Sequence, residues 1–392
     1  MGIVGGIGMR LVSLRQVRPG MKLGRTIFTE DGKVLLGTGM VLTERLISGL
    51  TRSKVDAVYI DDPRTADIQV EEVIRPQTRQ IAVEAIEKTF KQITNSNKLA
   101  RKISLKEMGL HFQRAFSSIL DDLLLNKQMI GHLTNISSHS PSMYHHAVNV
   151  AVLSTAVGMS LGYNRQRLID LGVGAMLHDV GKLSLPEEML AKEEQWTAEE
   201  KEIAKEHTRH GFNLLRKQHD ISLLSAHVCL QHHERLNGSG YPQGLQGKQI
   251  HEYAQIVGIA DVFDSLTSPR PWRKRYMPQD ALEYLLGSGG HLFEHHLVNA
   301  FIKHIAVFPI GSSVVLGTGE VGVVSRVDPD YSHRPTVRII KDGRGNDVLH
   351  PYDLDLKANL QLFVVGFEDD DLFRMSDVSR TQTETNPPDD LP

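Results

Sequence analysis

The stretch Leu168-Ile169-Asp170-Leu171-Gly172-Val173-Gly174-Ala175-Met176-Leu177-His178-Asp179-Val180-Gly181-Lys182 decides how this chain is read. Leu168, Leu171, Ala175 and His178 recur at helical spacing, so a stripe that faces a core ends on an imidazole. Asp179 follows directly. Neighbours on a helix stand about 100° apart, which lets both side chains reach one buried centre. The two carboxylate oxygens of Asp179 suit a bridge between two cations. Gly181 is expected to end the helix in a left-handed cap. Lys182 then extends beside the same centre, either as a solvated lysine at a helix end or as a cation steadying a phosphoryl oxygen.

The same residue types recur on both sides. His146 begins a stripe that continues through Val150, Leu153, Val157 and Leu161, and Asn149 shares its face one turn on. Downstream, Thr197-Ala198-Glu199-Glu200 reads as a capping box. Ile203, His207, His210 and Leu214 then lie on one helical face, and spacing does not choose between the two histidines. Leu224, Val228 and His232 are one turn apart, as are Cys229 and His233. Cys229 is expected to be a small buried apolar residue rather than a ligand. Glu234 is expected to hydrogen-bond a ligating histidine. Val257, Asp261 and Asp264 share a further face. A lone inward histidine is more often a hydrogen-bonded core residue than a ligand. Turning this many imidazoles and carboxylates inward is costly unless cations sit among them. The array predicts a multi-metal hydrolytic centre.

Composition bounds the rest. A chain of 392 residues is expected to hold two or three domains. Its hydrophobic and charged fractions, 40% and 23%, are those of a globular protein. A net charge of -3 argues against a general DNA or RNA binder. The single cysteine, Cys229, excludes an intrachain disulfide and fits a cytoplasmic location. The apolar run Val148 to Leu161 is too short and too polar to span a bilayer. The residues Met1 to Gly8 lack the basic start and apolar core of a signal peptide. Met9-Arg10-Leu11 reads as an ordinary start, which makes the preceding octet an extension.

Along the chain, residues 10–75 read as a small α+β domain. Asp31-Gly32 marks a hairpin between Thr26-Ile27-Phe28 and Val34-Leu35-Leu36, Thr43 opens a short helix, and Ala57 to Ile60 form a strand. Residues 76–139 read as a connecting helical segment. Pro76 suits its first position, and Val83, Ile86, Phe90 and Ile93 make its apolar stripe. Residues 140–305 hold the metal-type side chains. Residues 306–367 alternate as Val314 and Leu316, Val321 and Val323, Val337 and Ile339, with turns at Thr318-Gly319 and Asp342-Gly343, and are expected to form a small β-barrel-like domain. Residues 368–392 are expected to be a disordered acidic tail. The fold class is therefore mainly α, with a central helical bundle between two small flanking domains. The glycines of Gly238-Ser239-Gly240-Tyr241-Pro242 permit a sharp loop. Arg270, Arg273 and Lys274 form a basic cluster suited to phosphate or a guanine edge, or else a basic surface turn.

In this order the motifs resemble the HD superfamily of metal-dependent phosphohydrolases, specifically its HD-GYP branch. The resemblance is carried by His178-Asp179-Val180-Gly181-Lys182, by His232-His233-Glu234-Arg235-Leu236-Asn237-Gly238-Ser239-Gly240-Tyr241-Pro242, and by Asp261-Val262-Phe263-Asp264-Ser265-Leu266-Thr267. It covers about Pro141 to Phe301. It implies a helical HD domain and hydrolysis of cyclic di-GMP to pGpG, with further cutting to GMP as an extension, by a hydroxide activated between two divalent metal ions. It assigns His146, His178, Asp179, His207, His232, His233 and Asp261 as metal ligands; His207 is preferred to His210 because Gly211 fits the family glycine four residues after the ligand. Asp179 and Lys182 become catalytic residues, and Tyr241, Arg270 and Lys274 substrate contacts. Iron or manganese suits these donors, with nickel or zinc tolerated. Ser142 stands where some members carry a glutamate for a third metal, which favours two. Phe293-Glu294-His295-His296 departs from the family's Phe-Asp-Pro. Alternatives are a catalytically silent cyclic di-GMP receptor or interaction module, and a hydrolase of another cyclic dinucleotide. A protein partner on the Gly-Tyr-Pro loop and a homodimer are compatible with this reading; DNA and a membrane span are not.

Overall fold

A computed structural model of the chain describes residues 8–29, 33–53, 55, 57–68, 70, 73–95, 108–126, 143–190, 192, 194–268, 273, 275–328, 331–368 and 373–374. The supposed extension before Met9, apart from Gly8, therefore lies outside the described residues, as do Ser142, Arg270 and Lys274.

In the N-terminal part, strand β1 (Met9–Ser13) pairs antiparallel with β4 (Ala57–Asp61), and β2 (Ile27–Phe28) with β3 (Val34–Leu36). Helix α1 (Glu44–Arg52) starts where Thr43 accepts a hydrogen bond from the Leu46 amide. Helices α2 (Pro76–Asn95) and α3 (Met108–Leu125) then pack together. The stripe of Val83, Ile86, Phe90 and Ile93 is buried as its spacing requires.

The central bundle comprises α4 (Met143–Ser160), α5 (Arg165–Leu177), a 3₁₀ turn (Val180–Ser184), α6 (Glu187–Leu190), α7 (Ala198–Lys205), α8 (His207–Leu215), α9 (Leu223–Gln231), α10 (Glu252–Thr267), α11 (Pro278–Ser288) and α12 (His295–Ile302). Helices α4 and α10 are buried almost all round, so they form the inner layer. No helix among the described residues is long and apolar enough to cross a membrane. The capping box at Thr197 forms with both hydrogen bonds in place.

The C-terminal region corrects the barrel expectation. Strands β6 (Ser313–Leu316), β7 (Val321–Arg326), β8 (Thr336–Lys341), β9 (Asp347–Asp355) and β10 (Val364–Phe367) form an open antiparallel sheet in the order β10-β6-β7-β8-β9. Among the described residues β9 and β10 do not pair, so the sheet does not close. Alternation along the strands sends Val324, Val337 and Ile339 into the helical core and Val323 and Ile340 against Ile68 on the opposite face.

The two flanks are also joined. The Leu11 amide donates to the Gly311 carbonyl at 2.8 Å. Arg10 bridges Asp62 at 3.1 Å and Glu368 at 3.3 Å, and Arg338 reaches Asp67 at 2.8 Å. Glu368, expected to open a free tail, is thus anchored to the N-terminal strand pair, and it also pairs with Lys341 at 2.6 Å. Further on, β11 (Phe373–Arg374) pairs parallel with β5 (Arg275–Tyr276). The rest of the expected tail lies outside the described residues.

Candidate metal centre

Helices α4, α5, α8, α9 and α10 bring the histidines and aspartates together, and glycines at several of their contacts let backbones approach closely. The path after α5 is the clearest case. His178 closes the helix, and Asp179 leads into the 3₁₀ turn, so Gly181 does not adopt the left-handed cap expected of it. Its role is close approach. A Cβ on Gly181 would sit 1.8 Å from the His207 carbonyl oxygen and 2.6 Å from the Gly211 nitrogen. A Cβ on Gly211 would meet the Cys229 sulfur at 2.2 Å. This glycine pair seats α8 against the turn and sets His207 beside Asp179.

All seven sequence-assigned ligands converge. Three overlapping groups place candidate ligand atoms within 4.8 Å of one another: Asp179, His207, His232 and His233; His146, His178 and Asp179; His178, His232 and Asp261. The His207 Nε2 lies 3.3 Å from Asp179 Oδ1, and His178 Nε2 lies 3.4 Å from Asp179 Oδ2. Each Asp179 oxygen therefore faces a different histidine. His146 Nε2 is 3.1 Å from Asp261 Oδ1. Of the two histidines that spacing leaves level, His207 is buried beside Asp179 and His210 is exposed. Ile203, placed on the same face by periodicity, is exposed, because Glu206 separates α7 from α8 and resets the helical phase.

The ring orientations fit cation binding. His178 Nδ1 donates to the Ala175 carbonyl at 2.7 Å, His207 Nδ1 to Ala204 at 2.6 Å, and His232 Nδ1 to Val228 and Cys229 at 3.1 Å. A carbonyl only accepts, so each Nδ1 carries the proton and each Nε2 presents a lone pair inward. His146 Nδ1 faces Asp264 Oδ2 at 2.7 Å in the same sense. The Nε2 atoms of His178, His207 and His232, both ring nitrogens of His233, and Asp179 Oδ1 are buried without a hydrogen-bond partner. Orphaned buried polar atoms around one space are costly, and His178, Asp179, His207, His232 and His233 would each offer one atom to a bound cation that relieves this cost. The residues fit a metal.

Electrostatics agree. Burial pushes His207 down to about 4, and it also lowers His232 and His233 well below the usual imidazole range. Burial opposes the charge on His146 as well, but its contacts with Asp261 and Asp264 win and raise it to about 9. Asp179 stays ionised despite burial because Lys182, His178 and His207 surround it. The signs give a pH prediction for metal-free protein. His207 is neutral when folded, so its contribution is present above pH 6.5 and is lost as pH falls toward 4. His146 is charged when folded, so its contribution is present below pH 6.5 and is lost as pH rises through 9. Metal-free protein should melt highest near pH 6.5 and lower on either side. A metal ion that takes the place of the His146 Nε2 proton should remove the alkaline decline. Melting curves from about pH 4.5 to 9.5, with and without metal, test this; a metal-free melting temperature still climbing at about pH 9 would refute it.

The other residues singled out in the sequence lie around this centre. Lys182 Nζ bonds Asp179 Oδ2 at 2.6 Å, at the rim of the centre. Tyr241 stacks on His233, with ring centroids 4.6 Å apart. Glu234 does not touch a ligating imidazole. Its two oxygens instead accept the Gln243 and Leu245 amides at 2.7 and 2.9 Å, folding the Gly-Tyr-Pro loop back onto the double histidine. Gly238 supplies a positive φ, whereas a Cβ on Gly240 would stand 2.4 Å from the Arg235 nitrogen. Arg273 is buried and donates to the Ser265 and Leu266 carbonyls, so it caps α10 rather than offering itself to phosphate. Cys229 is buried, its thiol pointing at the His178 carbonyl at 2.9 Å, and it joins none of the ligand groups. His295 and His296 are exposed.

Sequence reading missed the support behind His146. Asn149 Nδ2 donates to Asp264 Oδ1 at 2.9 Å, and Asn149 Oδ1 accepts from Arg79 Nη1 at 2.8 Å. The signal was present: Arg79 stands four residues before Val83, a charge on an otherwise apolar buried stripe.

A helical bundle that turns histidines and an adjacent His-Asp pair onto one buried cation site is the design of an HD-type metal-dependent hydrolase. Residues 133–297 match the HD domain model, and residues 313–371 match a KOW domain associated with the HD domain. The chain is 28% identical over 340 residues, 81% of its length and 82% of the relative's, to a cyclic di-GMP phosphodiesterase of Pseudomonas aeruginosa. It is 38% identical over 148 residues to the cyclic di-GMP phosphodiesterase response regulator RpfG of Xanthomonas campestris, covering 38% of this chain and 39% of that one. It is 28% identical over 205 residues to a 3'3'-cGAMP-specific phosphodiesterase of Vibrio cholerae, covering 52% and 39%. The chain thus spans most of the first relative and well under half of the other two. Residues 133–297 are thus an HD domain, and the chain as a whole is similar to proteins named as cyclic dinucleotide phosphodiesterases.

Proposed function

We propose that this protein hydrolyses a cyclic dinucleotide, with cyclic di-GMP as the substrate and linear pGpG as the first product. The observation that carries the reading is the convergence of seven candidate ligands, with buried inward atoms of His178, Asp179, His207, His232 and His233 left without hydrogen-bond partners. His146, His178, Asp179, His207, His232, His233 and Asp261 would hold two divalent ions, with Asp179 shared between them because its oxygens face different histidines. Iron or manganese suits this mixture of imidazole and carboxylate. When bound, such ions supply Lewis-acid stabilisation of a phosphoryl group and lower the pKa of water.

The chain's own residues do the rest. The Nδ1 protons, fixed on backbone carbonyls and on Asp264, hold the imidazoles in one tautomer. Lys182 sits where it can exchange its contact with Asp179 for a phosphoryl oxygen, adding positive charge where negative charge develops. Tyr241 presents an aromatic ring beside the centre, and Arg270 and Lys274 would orient the dinucleotide. A complete ligand set favours an enzyme over a silent receptor. The Vibrio relative named for 3'3'-cGAMP keeps a second cyclic dinucleotide as an alternative substrate.

The test is a panel of cyclic dinucleotides incubated with iron- or manganese-loaded protein, with products separated by chromatography. Cyclic di-GMP should be consumed first, with pGpG appearing. A fully loaded protein that binds cyclic di-GMP and releases no linear product would establish the receptor reading instead.

A further inference from the structure

We infer that Arg79, on a helix preceding the HD-matched segment, is a positioning residue for the metal centre. It acts through a relay of three side chains: Arg79 to Asn149, Asn149 to Asp264, and Asp264 to His146. The inference rests on the metal-dependent reading above and extends it beyond residues 133–297.

The geometry is continuous. Arg79 is 9% exposed on α2, and its Nη1 donates to Asn149 Oδ1 at 2.8 Å. That bond fixes the orientation of the Asn149 amide, since the oxygen must face the guanidinium. The amide nitrogen is thereby turned to Asp264 Oδ1 at 2.9 Å. Asp264 Oδ2 then accepts from His146 Nδ1 at 2.7 Å, which leaves His146 Nε2 facing Asp261 Oδ1 at 3.1 Å. Asn149 and Asp264 are 1% and 4% exposed, so water does not compete for these bonds.

Each member constrains the next. His178, His207 and His232 have their Nδ1 atoms held by backbone carbonyls three or four residues earlier in the chain, which need no distant partner. His146 alone of these four is oriented by a carboxylate, and that carboxylate takes a hydrogen bond from the Asn149 amide nitrogen. The buried guanidinium holds the amide oxygen from the other side and so fixes the position from which Asn149 reaches Asp264. A charged side chain on the otherwise apolar stripe of Val83, Ile86, Phe90 and Ile93 is costly to bury, and setting a ligand's angle is a role that repays it. Outer partners of metal-bound histidines commonly change metal affinity by about 10- to 100-fold when lost. The relay also gives the position of α2 a direct effect on one ligand.

The experiment uses full-length, metal-free protein titrated with manganese and followed by calorimetry. Arg79→Met should weaken the site that uses His146 by about 10- to 100-fold, leaving the other site near its wild-type affinity. Arg79→Lys, which keeps a charged donor, should recover most of that loss. In an Asn149→Ala background, Arg79→Met should add little, because the relay is already cut. If Arg79→Met does not fold, Arg79→Gln gives the same reading with a shorter, neutral donor. Unchanged affinity at both sites in a folded variant would overturn the inference and leave the proposed function standing, as would losses that simply add in the double variant. A wild-type chain that takes up no ion would overturn both.

Discussion

Asp179→Asn is expected to lower turnover by more than about a thousandfold while the metal-free chain stays folded. A single oriented donor to a developing charge commonly contributes about 10²- to 10³-fold, and Asp179 serves more than one partner. Its Oδ1 lies 3.3 Å from His207 Nε2 and 3.8 Å from His232 Nε2, its Oδ2 lies 3.4 Å from His178 Nε2, and Lys182 Nζ holds Oδ2 at 2.6 Å. An amide keeps one acceptor oxygen but loses the charge and the second oxygen, so the two ligand groups no longer share an anion. The fold survives because His207, His232 and His233 are held neutral by burial and do not need Asp179 to offset a charge. His178→Ala should act in the same direction. Product chromatography gives the turnover, circular dichroism the folding, and elemental analysis the metal content. Wild-type turnover in either variant would sink the shared-ligand scheme.

The centre is more legible in the sequence than its supports, for a physical reason. Ligands declare themselves by type: an imidazole or carboxylate on an apolar stripe stands out against its neighbours, and a His-Asp pair on adjacent positions stands out further. Periodicity carries no information about where one helix stops and the next begins in a different phase. Spacing therefore leaves His207 and His210 level, and it places Ile203 inside when the break at Glu206 turns it out. Glu234 is adjacent in sequence to the double histidine, yet its oxygens hold amides nine and eleven residues later. Only the folded loop brings those amides within reach. Contacts distant in sequence leave no local trace at all. Arg10 meets Glu368, and Leu11 meets Gly311, across nearly the whole chain. Alternation in residues 306–367 correctly marks strands, but closure depends on whether β9 and β10 meet, and strand patterns do not encode that.

Gly181→Ala is expected to destabilise the fold by about 3 kcal/mol or more, beyond the ordinary overpacking range of about 1–3 kcal/mol, and to abolish metal uptake. The added methyl would lie 1.8 Å from the His207 carbonyl oxygen and 2.6 Å from the Gly211 nitrogen. Both obstacles are backbone, so no rotamer change relieves them, and the turn and α8 must separate. That separation moves His207 away from Asp179, whose present spacing is 3.3 Å. Gly211→Ala provides the contrast. Its chief obstacle is the Cys229 sulfur at 2.2 Å, while the Gly181 nitrogen at 3.1 Å and Val180 at 3.3 Å need give by only a few tenths of an ångström. Adding Cys229→Ala should therefore restore much of the stability and metal binding lost in Gly211→Ala, whereas it should do nothing for Gly181→Ala. Urea unfolding with a metal titration on each single variant and each pairing with Cys229→Ala measures both effects. Full metal uptake and wild-type stability in Gly181→Ala would mean that close approach of these two glycines is not what brings the ligands of α5 and α8 to one centre.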